Sequence, residues 1–211
     1  MSAHRVSPAR LIGTLAGFGA IAGFLIVAAF QWAQPRILAS RAAVLNAAVQ
    51  EVLGTPDSTQ TLFVYENALI PQPPANVDTA KLDRIYAGYD AAGRSVGYAI
   101  IAAAPGFADV ITLIYGYDAA GDRVIGMKVL ENKETPGLGD RIVKDSAFVA
   151  EFADAATPLK GVKKGAGTGA KNEVDLITGA TISSRTVVAI VNKSLERMKP
   201  RLDAYGIGAV R

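Results

Sequence analysis

Polarity changes along this chain in blocks, and each block has its own period. From Leu11 to Pro35 no side chain is ionisable, and from Leu11 to Phe30 only Thr14 is not apolar. Because ~20 helical residues at about 1.5 Å each cover the ~30 Å hydrocarbon core of a bilayer, this run predicts one membrane-spanning helix. Trp32 then falls at an interface. A cleaved signal peptide with a small-residue site near Ala33 is the alternative, although its apolar core usually holds only ~7–15 residues. Beyond the span, Leu38, Ala42, Leu45, Val49 and Val52 recur with helical spacing, and Gly54 and Pro56 close that amphipathic stripe. Pro71, Pro73 and Pro74 make the stretch to Asn76 an extended connector.

The period then shortens to two. GYDAAG occurs at Gly88 to Gly93 and again at Gly116 to Gly121, each copy between apolar, β-branched or aromatic runs. Asp-Ala-Ala-Gly is turn chemistry, so both copies predict β-hairpins. The first pairs Arg84 to Tyr89 with Ser95 to Ala102, and the second pairs Asp109 to Tyr117 with Arg123 to Leu130. Ile111, Leu113, Tyr115 and Tyr117 share one face, as a half-buried antiparallel sheet requires. Core packing explains the tyrosines better than a ligand stack. A short helix from Ser146 to Phe152 presents Phe148 and Phe152 together. Val187, Val191, Leu195 and Met198 mark a final helix, with Ser183 or Ser184 as its cap and Pro200 as its stop.

The fold class expected is α+β, an antiparallel β-sheet domain with flanking helices, anchored by one N-terminal transmembrane helix. Residues 1–10 form a tail, 11–35 the span, 36–80 a juxtamembrane helix and connector, and 81–211 the main domain.

Charge and composition narrow the chemistry. The net charge is +3, and Arg5 and Arg10, with no acid before residue 36, account for two of those charges. The remainder is nearly neutral, which removes the electrostatic case for a nucleic-acid partner. There is no cysteine, which excludes disulfides, thiolate metal sites, cysteine-ligated clusters and thiol catalysis. The one histidine, His4, lies in the tail, so no histidine triad or histidine-rich metal site is available. Neither catalytic residues nor a metal site is expected.

Three segments are candidates for chemistry. Gly165, Gly167, Gly169 and Lys171 imitate a phosphate loop, but Ala170, Lys171 and Asn172 stand where a Walker motif needs Gly, Lys and Ser or Thr. The run Asn132 to Asp140 follows a strand. Pro136 stiffens it, Gly137 and Gly139 let backbone approach a flat ligand, and Lys133 and Glu134 cluster on it. Asp175 to Thr181 precedes the last helix, whose start suits a phosphate. Gly179 and Ala180 leave Thr181 sterically open, and its hydroxyl can be esterified.

The last two segments together resemble the flavin-binding domain of the G subunit of the Rnf complex and of the related C subunit of sodium-pumping NADH:quinone reductase. The family's attachment pattern is Asp, two free positions, Ser or Thr, then Gly, Ala and Thr or Ser. Asp175, Thr178, Gly179, Ala180 and Thr181 match it throughout. Lys133, Glu134, Thr135, Pro136, Gly137, Leu138 and Gly139 resemble the family's upstream loop, so Lys133, Glu134, Thr135, Gly137 and Leu138 are expected at the cofactor.

The resemblance implies FMN joined through its phosphate to Thr181 by a flavin transferase, which takes the FMN moiety from FAD with a divalent metal. It implies that Asp175 belongs to the transferase recognition motif, while Thr178, Gly179 and Ala180 shape the acceptor turn. It also implies an inner-membrane protein with a cytoplasmic amino terminus and a periplasmic domain. The partners implied are the lipid bilayer and the other membrane and peripheral subunits of an ion-translocating complex linking ferredoxin and NAD. With the hard chemistry residing in the cofactor, the polypeptide supplies position and electrostatics. Lys133 is expected near the ring, stabilising its reduced, negative form. The alternatives are the quinone-reductase C subunit and a cofactor-free membrane-anchored binding or assembly module.

Overall fold

The computed structural model describes residues 7–209. His4, Arg5 and the start of the expected tail lie outside the described residues. Two compact units meet between Leu45 and Asn46.

The first unit is the bulk of helix α1, Pro8–Val52. Its most apolar 18 residues have a mean hydropathy of 2.2 and none is buried, so the helix is long and apolar enough to cross a membrane. Arg36 lies 4.3 Å from the Trp32 ring centroid, a cation–π contact at the end of the apolar run. The span and the amphipathic stripe expected as separate elements form one continuous helix. Pro35 is inside it. Proline costs the helix one hydrogen bond there without ending it.

The second unit is built on a seven-stranded sheet in the order β2-β1-β3-β4-β5-β6-β7, antiparallel throughout. Its strands are β1 Ser58–Tyr65, β2 Ala68–Ile70, β3 Arg84–Tyr89, β4 Ser95–Pro105, β5 Val110–Asp118, β6 Arg123–Glu131 and β7 Ala155–Ala156. Both GYDAAG hairpins form as the sequence predicts. Residues 58–70 differ from the connector reading. Glu66 and Asn67 both adopt positive φ in a two-residue turn that folds β2 back on β1, and β1 then pairs with β3 along its length.

Helix α4, Thr181–Ala209, lies across one face of this sheet. Val187, Val191, Leu195, Met198 and Leu202 are buried against Ile111, Leu113, Tyr115 and Tyr117 of β5 in a single core. Tyr115 donates to Ser194 on α4 at 2.9 Å, and burial raises its phenol well above the usual value. The tyrosines are therefore core. Pro200 does not stop α4, because the turn beyond it buries Leu202 and Arg201 donates to the Arg197 carbonyl. Helices α2, Arg141–Lys144, and α3, Ser146–Ala150, follow β6, and Phe148 and Phe152 meet edge to face at 5.3 Å.

The last turn of α1 lies over three strands at glycines. A Cβ on Gly88 would come within 2.9 Å of Leu53, one on Gly126 within 3.2 Å of Val52, and one on Gly116 would collide with the Val52 carbonyl. The first glycine of each GYDAAG copy thus makes room for a helix end, while the rest of the motif makes the turn. A parallel pair, β8 Lys160–Lys163 and β9 Glu173–Leu176, leads into α4.

Candidate functional site

β9 ends at Leu176, and the chain must reverse to start α4 at Thr181. Gly179 supplies the φ of +84° that this turn needs. Ser184 is not a cap but lies buried in the first turn, where its hydroxyl accepts from the Ile177 amide at 3.2 Å and donates to the Ala180 carbonyl at 2.9 Å. Ser183 is buried beside it. The N-cap position falls to Ala180, whose carbonyl accepts the first helical bond from Ser184 N. A methyl group cannot cap, so among the described residues the amides of Thr181, Ile182 and Ser183 have no protein acceptor. They give the 29-residue helix an open, positive end suited to a phosphate. Thr181 itself is exposed, and its hydroxyl makes only a long 3.4 Å approach to the Ile177 carbonyl.

Thr181 opens onto a cavity of about 330 Å³. Its walls are Phe107 from the β4–β5 turn, Thr135, Leu138 and Gly139 from the loop after β6, and the segment Gly179 to Ser183. Phe107, Leu138 and Ile182 stand more than half exposed around its mouth. Apolar walls, small residues on the floor and an open helix start fit a flat aromatic ring carrying a phosphate. The volume lies in the range of ~300–1,000 Å³ typical of small-molecule sites.

Glu134 is buried behind these walls, with 5% of its surface exposed. One carboxylate oxygen accepts from the amides of Phe107 at 3.0 Å and Ala108 at 3.1 Å, and the other accepts from the Ser183 hydroxyl at 2.6 Å. Burial pushes the acid up, but the donations from Ser183 and the Ala108, Asp109 and Phe107 amides outweigh it and hold Glu134 below its usual range. Gly106 and Gly139 make the space, since a Cβ on either would collide with the carboxylate.

The other sequence-predicted residues divide. Thr135, Leu138, Gly179, Ala180 and Thr181 meet at the cavity. Thr178, within the turn before α4, and Asp175, just ahead of it, line a separate cleft of about 60 Å³ with Arg141, Glu151 and Lys164. There Arg141 donates to the Thr178 carbonyl at 2.8 Å, and Glu151 accepts the Asp175 amide. Burial raises the Glu151 acid, against the pull of that amide. Lys133 is an exposed partner of Asp109 at 3.5 Å and does not line the cavity, and neither does Gly137. Gly139, read from the sequence as a close-approach position, lines the cavity, whereas Phe107, Ile182, Ser183 and Arg141 were not among the expected residues. Gly106 after Pro105, at the turn between two long strands, is a sequence signal that could have drawn attention to Phe107.

Residues 106–196 match the FMN-binding domain family. The G subunit of the ion-translocating oxidoreductase complex of Methanosarcina acetivorans is 32% identical over 53% of this chain and 56% of its own. The subunit of the same name from Pseudomonas aeruginosa is 39% identical over 49% of each chain, and that from Shewanella loihica is 32% identical over 66% of each. The chain thus spans about half the length of the first two curated relatives. Among solved structures, Shewanella oneidensis NqrC superimposes with a TM-score of 0.64 at 19% identity, covering 79% of this chain and 99% of its own. The C subunit of the Na⁺-translocating NADH-quinone reductase of Parabacteroides distasonis gives 0.53 at 22% identity, over 65% and 74%. At these identities the likeness is one of fold.

Proposed function

We propose, from the match of residues 106–196 to the FMN-binding domain family and the similarity to G subunits of ion-translocating oxidoreductase complexes, that the chain is a membrane-anchored electron carrier of such a complex, with FMN esterified to Thr181. The observation that carries this reading is an accessible threonine hydroxyl at an uncapped helix start, opening onto an apolar cavity. A flavin supplies one- and two-electron exchange, and the polypeptide needs no acid, base or nucleophile of its own.

Each part of the site has a task. The amides of Thr181, Ile182 and Ser183 stabilise the phosphate's charge. Phe107, Leu138 and Ile182 cover apolar ring surface and exclude water from part of it. Attachment forms a bond from Thr181 Oγ1 to the phosphorus of the FMN half of FAD as the pyrophosphate P–O bond breaks. AMP leaves, and the hydroxyl proton passes to solvent or to a base of the flavin transferase that catalyses the exchange with a divalent metal. Asp175, just ahead of the turn, belongs to the face that this enzyme reads. The ester makes loss of the cofactor a bond-breaking event, which serves a domain held in the periplasm with its amino terminus in the cytoplasm. The remaining partners are the bilayer and the other subunits, which relay electrons between ferredoxin and NAD while moving ions.

Coexpression of the full chain with a flavin transferase tests the reading. A denatured band that fluoresces under ultraviolet light, and goes dark in Thr181→Ala, supports it. Bare polypeptide despite an active transferase overturns it in favour of a cofactor-free binding module. Assignment to the quinone-reductase C subunit draws on likeness of fold alone, whereas the G-subunit reading also draws on sequence identity.

A further inference from the structure

Two separate sets of hydrogen bonds converge on the cavity, from opposite sides. Behind the acceptor turn, Arg141 holds the Thr178 carbonyl, and Ser184 bridges the Ile177 amide and the Ala180 carbonyl. All three partners are main-chain atoms of the turn, so this set fixes where the Thr181 hydroxyl stands. On the far side, Glu134 joins the Phe107 and Ala108 amides to Ser183. Its partners belong to the cavity wall and the helix, and none is an atom of the turn from Ile177 to Ala180.

We propose that Glu134 is a positioning residue for the flavin ring: through Ser183 it fixes the Phe107 and Leu138 walls to the first turn of α4, and so governs how the ring is held but not whether the ester forms. Arg141 is its counterpart, governing ester formation but not ring holding. The inference rests on the reading that Thr181 carries FMN. The geometry supports separation because each set is complete without the other. Glu134 Oε1 takes the Phe107 and Ala108 amides with the Asp109 amide at 3.5 Å, Oε2 takes a hydroxyl, and glycine at 106 and 139 admits the carboxylate where any side chain would block it. A buried anion with that many donors is a rigid joint, and removing it leaves the wall amides unpaired.

The test uses the full chain in detergent, coexpressed with a flavin transferase. Two quantities are read: the flavinylated fraction by intact mass, and the rigidity of the ring by visible circular dichroism and flavin fluorescence anisotropy. Glu134→Ala is expected to keep most of its covalent flavin while the dichroism is lost and the anisotropy falls towards that of the denatured holoprotein. Ser183→Ala, which removes one of the joints, moves both signals the same way by less. Glu134→Gln restores them, since its amide oxygen accepts from Phe107 and Ala108 and its nitrogen donates to Ser183. Arg141→Ala is expected to do the reverse, with less ester but native dichroism per flavin attached. If Glu134→Ala does not fold, Ser183→Ala and Glu134→Gln decide the matter. Unchanged dichroism in Ser183→Ala, or equal loss of ester in the Glu134 and Arg141 variants, overturns the inference. Wild-type chain that acquires no flavin overturns the underlying reading instead.

Discussion

Two turns with a glycine at positive φ lie within twenty residues of each other, and only one leaves the amides of a long helix start without a protein acceptor among the described residues. In the loop between β8 and β9, the Gly165 amide donates to Asp175, and the Thr168 amide and hydroxyl donate to Glu173. Lys160 and the Thr168 amide together pull the Glu173 acid down to about 2. The Gly165 and Thr168 amides of that loop are taken by its own neighbouring carboxylates. At the start of α4 no side chain takes the amides, because alanine occupies the cap position. Glycine at positive φ is common to both, and the destination of the N–H groups distinguishes them.

The sharpest way to break this comparison is to remove the acceptor. Thr181→Ala is expected to abolish covalent flavin, and Thr168, a hydroxyl in the glycine-rich loop between β8 and β9, does not take its place. Peptide mapping that found flavin on Thr168 would refute the donor accounting. Next in size is a matched pair, Gly179→Ala and Gly165→Ala. Both place a Cβ at positive φ, with φ of +84° and +74°, at a cost of about 1–2 kcal/mol. Thermal melts should therefore fall alike, while only the first variant loses flavinylation.

Acid separates the carboxylates of the two regions. Glu134 has a depressed pKa in the folded chain, so its contribution to stability is complete above 4.5, its ordinary value, and fades as pH falls through the folded value. Urea midpoints measured from pH 6 downward should drop more steeply for wild type than for Glu134→Gln, and parallel curves would count against the brace. Glu173, held at about 2, should give up its share over the window from 4.5 to about 2. The smallest effect is expected from Lys133→Ala. An exposed cation already paired with Asp109 is screened by solvent and salt, so the flavin potential should fall only slightly in a redox titration. A large fall would move Lys133 to the ring.

Much of this was legible in the sequence because local chemistry and tertiary structure agree. The apolar block, the twin hairpins and the stripe on α4 are periodic, and the Asp-Ala-Ala-Gly turns are unambiguous. The acceptor turn was legible as a motif. What stayed hidden depends on partners distant in the chain. β1 has no clean alternation, and a Glu-Asn turn at positive φ is an uncommon signal. β8 and β9 are short, largely polar strands that pair in parallel across a loop. The cap prediction failed for a physical reason: Ser183 and Ser184 turn inward to join Glu134 and the Ile177 amide, so an end that ordinary helices close stays open. Glu134 was expected at the cofactor and stands buried behind the cavity wall, which no spacing reveals.

The strip formed by Gly88, Gly116 and Gly126 under the end of α1 has a bearing on how variants of this protein should be interpreted. Aligned relatives that retained glycine at those three places would be recording the footprint of a helix end and not a ligand. A substitution there would act through abundance, leaving each surviving molecule as competent as before while fewer molecules accumulate. Pale membranes with normal turnover per flavin would be the phenotype of that lesion.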